Sequence, residues 1–219
     1  MRNLIRKIYN RFKYVRIIVA HHVTDNEPLI YSCIISKEGF KGYVKDKRFV
    51  AVNTAFKSIA KYSGSYVLTV DDALDDLYTE IYPVCKANGI PFTAFISIDL
   101  IDKDGYITTE QLVEMSKDPL VTIGSHGCTH IKLNECDDDQ ARYEIMESKR
   151  KLERIIGKEI FAYAYSSGVA SKRDIKLVKK AGYRYAFGVI PRNCNIIFLM
   201  LDRFLLPRYN LDNNTVQNI

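Results

Sequence analysis

The chain has 219 residues, of which 47% are hydrophobic and 26% charged, a balance typical of a globular protein with a substantial core. No apolar run approaches the roughly 20 residues that a membrane-spanning helix needs, so an integral membrane protein is not expected. The formal net charge of +6 is concentrated in residues 1–16, which carry basic residues and no acidic one. A nucleic-acid enzyme would carry basic residues along its body, so no nucleic-acid partner is expected.

The first 15 residues are predicted to form a basic amphipathic segment, followed by one domain over residues 16–219. Apolar residues recur in the segment at roughly helical spacing, and they are Leu4, Ile5, Ile8, Phe12 and Val15. Such a helix either packs its apolar stripe on the domain or rests on an anionic membrane surface. No signal peptide is visible, so the expected location is cytoplasmic or peripheral at the membrane. The sequence does not predict an oligomeric state.

Short β-rich runs alternate with amphipathic runs through the rest of the chain. Strands are predicted at 16–20, 66–70, 92–97, 121–125, 160–165, 184–189 and 203–207, and helices at 75–87, 108–116, 137–156 and 171–181. This alternation predicts an α/β fold with a mostly parallel sheet, either doubly wound or closed as a barrel. In both folds, functional side chains gather at the carboxyl ends of the strands.

Two adjacent carboxylates, Asp71 and Asp72, follow the predicted strand at 66–70. Side chains alternate in direction at a strand end, so one carboxylate can bind a metal while the other faces a substrate. The alternative is that both are acidic residues in the first turn of the following helix.

Two histidines, His126 and His130, follow the predicted strand at 121–125. Histidines four residues apart can converge on one metal ion, although a core or surface pair is the alternative. Cys128 lies between them and is a weaker candidate as a further ligand. The chain has five cysteines without a CxxC pair, and reduced thiols are expected.

Two more predicted strands end in polar groups. His21 and His22 follow the first strand, and either could serve as a general acid or simply be hydrogen-bonded in a turn. Residues 166–168 (Ser-Ser-Gly) follow the fifth strand. Their backbone N–H groups could meet an oxyanion, or they could form an ordinary strand-to-helix turn.

Together these segments resemble the polysaccharide deacetylases, the NodB-homology domain of carbohydrate esterase family four. Residues 69–73 (TVDDA) are similar to the TFDDG motif, residues 125–130 (SHGCTH) to SHTxxH, and residues 161–166 (FAYAYS) to FAYPYG. Residues 19–23 (VAHHV) resemble the LxYHxV motif of the branch that deacetylates poly-N-acetylglucosamine and related glycans. Residues 206–208 (LPR) resemble a closing strand of that branch.

The resemblance implies a distorted (β/α) barrel with about seven parallel strands and a metal-dependent hydrolase that removes N-acetyl groups from a glycan of N-acetylhexosamine units. A divalent metal, zinc first with nickel, cobalt or manganese as alternatives, would be bound by Asp72, His126 and His130. Asp71 would be the catalytic base, His21 the general acid, and the backbone N–H near Tyr165 an oxyanion donor. Arg208 would orient Asp71 in place of the family's usual arginine.

The turns depart from the family's motifs more than the metal-ligand positions do. Ala73 stands in place of a glycine, Gly127 in place of a small hydroxyl residue, and Ala164 and Ser166 in place of a proline and a glycine. Loss of glycine restricts a backbone that needs a positive φ. Two alternative functions follow: a non-catalytic glycan-binding domain, or a related hydrolase of O-acetyl esters or small amides.

Overall fold

A computed structural model describes residues 13–26 and 33–214. Its strands are β1 (Tyr14–Ala20), β2 (His22–Val23), β3 (Ile34–Ile35), β4 (Tyr66–Val70), β5 (Phe92–Ile96), β6 (Val121–Ser125), β7 (Ala162–Ala164), β8 (Tyr185–Phe187), β9 (Cys194–Asn195) and β10 (Tyr209–Asn210). Seven of them form one parallel sheet in the order β10-β1-β4-β5-β6-β7-β8. The short β9 pairs antiparallel with the beginning of β1, and β2 pairs with β3.

The helices that connect these strands are α1 (Lys37–Lys45), α2 (Val52–Lys57), α3 (Tyr82–Ala87), α4 (Thr109–Lys117), α5 (Asp138–Ile156), α6 (Lys172–Lys180) and α7 (Ile196–Leu201). Their ends follow local chemistry. Thr108 and Gln111 form a reciprocal capping box at the start of α4, and Gly157 ends α5 in a left-handed conformation. None of the helices in the described part of the chain has the length and apolar character needed to cross a bilayer.

The sheet curls into a half-barrel, and the segment 206–210, which includes β10, lies between β1 and β8. Leu206 forms a parallel bridge with Phe187 of β8, while Tyr209 and Asn210 pair with β1. Inside the curl, a cluster that includes Val15, Ile17 and Phe95 is covered by α2 and by two residues of α7. The larger apolar cluster packs the other face of the sheet against the remaining helices.

The predicted fold class is confirmed, and six of the seven predicted strands are present within a few residues of their predicted bounds. The predicted strand at 203–207 is wrong, because only Leu206 pairs there and the strand on β1 begins at Tyr209. Pro207 explains the interruption, since a proline has no N–H to donate to a neighbouring strand.

The predicted helix at 75–87 is present in two parts, a π-helical turn (Leu77–Ile81) followed by α3. Pro83 lies at the beginning of α3, where its missing N–H interrupts the regular hydrogen bonding. The predicted basic segment at 1–15 cannot be helical to its end, because β1 begins at Tyr14. Residues 1–12 lie outside the described residues.

Candidate metal centre

A cavity of about 380 Å³ lies at the carboxyl ends of β1, β4, β6 and β7. Each of these strands is followed directly by polar residues, so the parallel sheet gathers at one edge groups that are far apart in sequence. The residues that line the cavity include the three principal predicted ligands, the predicted base and the predicted acid, but not Cys128: His21, Cys33, Asp71, Asp72, His126, His130, Tyr165, Ser167, Gly168, Val189 and Asn210.

Three of these side chains place one ligand atom each within 4.8 Å of the other two: Asp72, His126 and His130. The Asp72 Oδ1 atom lies 3.2 Å from the Nε2 atom of His126 and 3.1 Å from the Nε2 atom of His130. His126 is buried, whereas Asp72 and His130 are partly exposed toward the cavity. The three predicted ligands therefore converge on a single point.

The hydrogen bond on the far side of His126 fits a metal ligand. Its Nδ1 atom lies 2.8 Å from the backbone oxygen of Ala164, which can only accept, so Nδ1 carries the hydrogen. In the neutral ring this leaves the lone pair on Nε2, directed at Asp72, whose buried Oδ1 makes no hydrogen bond of good geometry. Two lone pairs facing each other need a cation between them, and backbone support of this kind is typical of metal-bound histidines.

The pKa shifts in the cluster have the same origin. Burial alone would lower the pKa of His126, but the carboxylates of Asp71 and Asp72 outweigh burial and raise it. Burial likewise opposes ionisation of Asp72, but the close approach of the His126 and His130 rings holds the pKa of that carboxyl well below its usual range. The carboxylates that favour a proton on His126 would equally favour a divalent cation.

The turn after β4 adopts a strained backbone to present its carboxylate. Asp72 has a φ of 76° and Ala73 a φ of 68°, in the left-handed region that residues with a Cβ atom disfavour by about 1–2 kcal/mol each. Ala73 is fully buried and thus fixed by its surroundings. The position of Ala73 therefore does require a positive φ, as its replacement of a family glycine suggested. The chain adopts this conformation with alanine.

The loop between the two histidines is held by Glu144, a buried residue of α5 that the sequence interpretation missed. One oxygen of its carboxylate, Oε2, accepts hydrogen bonds from the backbone N–H groups of Cys128, at 2.6 Å, and Thr129, at 2.9 Å. The other oxygen, Oε1, accepts from the Thr129 hydroxyl at 2.7 Å. A signal was present in the sequence, because Glu144 interrupts the apolar stripe of α5 formed by Ala141, Ile145 and Leu152.

Gly127 is required by the same arrangement. Its φ is 84°, and a Cβ atom added there would lie 2.9 Å from the Oε2 atom of Glu144. The residue therefore provides both a left-handed backbone and space for the supporting carboxylate. A larger residue at this position would have to displace Glu144.

The two other turn substitutions do not meet a positive φ. Neither Ala164 nor Ser166 has one, whereas the neighbouring Ser167 (φ 63°) and Gly168 (φ 70°) do. The Ser166 hydroxyl donates to the backbone oxygen of His126 at 3.3 Å. A residue that replaces a family glycine thus supports a ligand-bearing loop.

Arg208 contacts Asp71, the residue that it is predicted to orient. The guanidinium donates two parallel hydrogen bonds of 2.7 Å to the two carboxylate oxygens, and both side chains are buried. Arg208 is itself fixed by hydrogen bonds to the backbone oxygen of Gly188 and the hydroxyl of Thr69. Burial opposes ionisation of Asp71, but the Arg208 charge holds the pKa of this carboxyl below its usual value.

The two neighbouring histidines after β1 are separated by the structure. His21 lines the cavity, and its buried Nδ1 atom has no hydrogen-bond partner among the described residues. Burial lowers the pKa of His21, against the opposing charges of Asp71 and Asp72. His22 instead contacts Asp76, with 2.9 Å between Nδ1 and Oδ2. Of the two, only His21 faces the predicted base.

Tyr165 is present at the cavity, but its N–H group is already used. It donates to the backbone oxygen of Phe187 at 3.0 Å, and the Tyr165 hydroxyl donates to the backbone oxygen of Phe204 at 2.9 Å. The Tyr165 N–H group is therefore not free to face an oxyanion. In the turn that follows, Ser166–Gly168, the first N–H groups are those of Ser166 and Ser167, and the N–H groups at the start of a helical turn have no acceptor within it.

The expectation that Cys128 is a further ligand is wrong. Its side chain belongs to the apolar core under α5, and burial raises the pKa of the thiol to about 12. A thiol binds metal as the thiolate, which this environment disfavours. Cys85, Cys128, Cys136 and Cys194 are free thiols.

Comparisons with known proteins identify a family and a shared fold. The polysaccharide deacetylase family matches residues 60–186, more than half of the chain. A Bacillus subtilis (strain 168) protein named as a polysaccharide deacetylase, YxkH, is 29% identical over 118 residues, covering 54% of this chain and 42% of that protein. The poly-beta-1,6-N-acetyl-D-glucosamine N-deacetylase of Staphylococcus aureus (strain MSSA476) is 24% identical over 178 residues, covering 71% of this chain and 61% of the relative.

The chain therefore spans less than two thirds of the length of either relative. Among solved structures, the Streptococcus pyogenes deacetylase PplD in complex with acetate superposes with a TM-score of 0.82 at 18% sequence identity. The superposition covers 94% of this chain and 96% of that chain. At this identity the match establishes a shared fold.

Proposed function

The chain belongs to the polysaccharide deacetylase family, and we propose that it is a metal-dependent hydrolase that removes N-acetyl groups from a glycan of N-acetylhexosamine units. The observation that carries the proposal is the convergence of Asp72, His126 and His130 beside the Arg208-bound carboxylate of Asp71. The name of the Staphylococcus aureus relative supports a poly-N-acetylglucosamine as the substrate class.

Asp72, His126 and His130 would hold the metal, and two imidazoles with one carboxylate suit a transition metal such as zinc better than magnesium. When bound, the metal supplies a Lewis acid that polarises the amide carbonyl and lowers the pKa of a water molecule to about 7. Nickel, cobalt and manganese are the alternatives that the same ligands accept.

Asp71 is proposed to accept the proton of the attacking water. The two hydrogen bonds from Arg208 prevent the carboxylate from rotating and keep it ionised, because the positive charge lowers its pKa. Its Oδ2 atom lies 3.9 Å from the Nε2 atom of His126, so the base is adjacent to the metal ligands. A base held at this position needs no reorientation before it takes up a proton.

His21 is proposed to donate a proton to the leaving amine. The side chain lines the same cavity as Asp71. Burial favours the neutral form of His21, and the charges of Asp71 and Asp72 favour the protonated form, so the ring can both take up a proton and release it to the amine. The N–H groups at the start of the turn 166–168 are proposed to face the oxyanion, since Tyr165 donates its own N–H to Phe187.

Acetate release from N-acetylglucosamine oligomers tests this function. Wild type with added zinc is expected to release acetate, and Asp71→Asn is expected to lose most of this activity while remaining folded. Asp139→Asn, the same change on the exposed surface of α5, serves as the matched control and is expected to behave as wild type.

Equal rates for wild type and Asp71→Asn would contradict the proposed base. Release of acetate from an O-acetylated glycan but not from the N-acetylated one would favour the esterase alternative. Binding of the oligomer without turnover at any metal concentration would favour the non-catalytic alternative.

A further inference from the structure

The turn after β4 contacts the chain on both sides of His21. Before His21, the backbone N–H group of Asp71 donates a hydrogen bond to the backbone oxygen of Ala20 at 3.0 Å. After His21, the carboxylate of Asp76 accepts a hydrogen bond from the backbone N–H group of Val23. The residue that carries the proposed general acid is therefore fixed on both sides by the turn that carries the proposed base.

Asp76 is buried, and one of its oxygens makes both contacts with the segment 22–24. This Oδ2 atom accepts the hydrogen bond from Val23 and lies 2.9 Å from the Nδ1 atom of His22. A carboxylate removed from water is stable only when it is hydrogen-bonded, so the two contacts favour one position of the segment.

The other backbone contacts of this segment come from a short pairing outside the main sheet. β2 pairs with β3 over two residues. The N–H group of His22 donates to the oxygen of Cys33 at 3.3 Å, and that of Thr24 donates to the oxygen of Ile35 at 3.1 Å. A two-stranded pair is marginally stable by itself. The Asp76 carboxylate therefore anchors the segment to the main body of the domain.

The position of the His21 ring depends on the backbone that carries it. The buried Nδ1 atom of His21 has no hydrogen-bond partner in the part of the chain that the structure describes, so no side chain orients the ring through this atom. His21 lines the cavity, whereas His22 contacts Asp76. Because the two histidines are adjacent in the chain, a contact that fixes His22 also limits the directions available to His21.

The metal-ligand part of the same turn is fixed without Asp76. The backbone oxygen of Ala73 accepts a hydrogen bond from the N–H group of Ile107 at 3.1 Å, and Ala73 is fully buried. Removal of the Asp76 carboxylate should therefore release the segment after His21 and leave Asp72 in place.

We propose that Asp76 is a positioning residue for the general acid, holding the backbone after His21 so that its ring meets the leaving amine. The inference rests on the proposed deacetylase function and adds a residue to it. Asp76 is not among the residues that line the cavity, so it acts through His21 and exchanges no proton with the substrate. A proton donor must lie within hydrogen-bonding reach of the amine, and a misplacement of about 1 Å can cost about 100-fold in rate.

A double-variant cycle tests the proposal with the full chain, added zinc and N-acetylglucosamine oligomers. Asp76→Ala is expected to lower kcat about tenfold with little change in KM, and His21→Ala to lower kcat about 100-fold. Because Asp76 acts through His21, the double variant should release acetate as fast as His21→Ala alone. Independent roles would instead multiply to a loss of about 1000-fold.

Two further variants separate positioning from a general loss of structure. Asp76→Asn keeps one oxygen that can accept from Val23, so its kcat is expected to stay within about threefold of wild type. Asp75→Ala makes the same change at the exposed neighbouring residue and is the matched control, with the wild-type kcat. Zinc affinity should be the same in wild type, Asp76→Ala and Asp76→Asn, because the turn holds Asp72 independently.

A wild-type kcat in Asp76→Ala, or a further tenfold loss when this change is added to His21→Ala, would overturn the proposal and leave the proposed function intact. A loss in Asp76→Asn as large as that in His21→Ala would also overturn it, and this variant keeps the buried polar group. Zinc binding more than tenfold weaker in Asp76→Ala would assign the carboxylate to the metal-ligand turn instead.

Failure of the proposed function gives a different result. Wild type would then release no acetate, or His21→Ala would release it at the wild-type rate. Either result would contradict the general acid itself and overturn the positioning role with it.

Discussion

The two turns that carry the metal ligands reach the same point by different means. The turn after β4 places Asp72 and Ala73 at positive φ without any glycine. The loop after β6 has Gly127 at a φ of 84° and the ligand His130 at a φ of 64°, and the Glu144 carboxylate holds the two N–H groups after Gly127. The first turn therefore stores backbone strain at two neighbouring non-glycine residues, whereas the second stores it at His130 alone and depends on a glycine and a buried charge.

This contrast shows that family motifs constrain a backbone shape more strongly than they constrain one residue. At position 73 the family's glycine is replaced by alanine, yet the backbone still has a positive φ. At position 127 this chain has a glycine where the family has a small hydroxyl residue. The free energy of unfolding and the metal affinity should respond differently to changes in the two turns.

The largest effect is expected from Glu144→Ala. The change leaves the N–H group of the buried Cys128 without its acceptor, which costs about 1–3 kcal/mol, and also removes the acceptor of the N–H group of the exposed Thr129. Urea unfolding should show a loss of about 3 kcal/mol, and zinc titration about a tenfold weaker affinity. Wild-type zinc affinity in a folded Glu144→Ala protein would show that the loop does not depend on this carboxylate.

Gly127→Ala is expected to come next. The new Cβ atom meets the Glu144 carboxylate and the backbone keeps a φ of 84°, so the two costs add to about 2 kcal/mol. Comparing urea unfolding of this variant with that of Gly89→Ala separates the cost of the contact with Glu144 from the cost of the positive φ. Gly89 has a φ of 64° and nothing within 4 Å of an added Cβ atom, so its variant should lose only the backbone part. Equal losses in the two variants would mean that Glu144 moves aside freely.

The stability of the metal-free protein should depend on pH through His126. Its pKa is raised in the folded state, so the stability that its proton contributes is fully present below the unfolded pKa and is lost as the pH rises through the folded value. Urea unfolding from neutral to alkaline pH should therefore show falling stability from this group. Saturating zinc should remove the fall, because the cation replaces the proton; a fall that persists in zinc would place the ion elsewhere.

The smallest effect is expected from Ala73→Gly. Relief of the left-handed backbone favours the variant by about 1 kcal/mol, while loss of the buried methyl group and the greater freedom of the unfolded chain oppose it by a similar amount. The free energy of unfolding should change by less than about 1 kcal/mol. A loss well above that, measured by urea unfolding, would mean that the Ala73 methyl group does more than fill space.

The residues of the site were readable from the sequence because each follows an apolar strand. Asp71, Asp72, His126 and His130 needed only strand ends and spacing to be selected, and Arg208 needed the family resemblance. Glu144 was not found, since a single charge in an amphipathic helix is usually solvated. The sequence also did not predict that the Tyr165 N–H donates to Phe187, because this hydrogen bond depends on how β7 pairs with β8.

The fold class and most strands of the sheet were also predicted from the sequence, but the shortest elements were not. Strands of five residues or more with apolar runs were predicted, whereas β2, β3 and β9 are two residues long and carry no periodic pattern. Helix α7 escaped prediction because its six residues are all apolar and show no helical period. Helix α1 was also missed, although Ser36 caps it and its buried residues Phe40, Tyr43 and Val44 recur at helical spacing, so that omission was not due to a lack of local pattern.

The most direct test of the account is a zinc titration of metal-stripped protein that follows acetate release from N-acetylglucosamine oligomers. Wild type should gain activity up to about one zinc per chain, and Asp72→Asn should gain little at the same concentrations, because one of three ligands is weakened. Full activity without added metal, or an identical titration curve for Asp72→Asn, would contradict the assignment of Asp72, His126 and His130 as the metal centre.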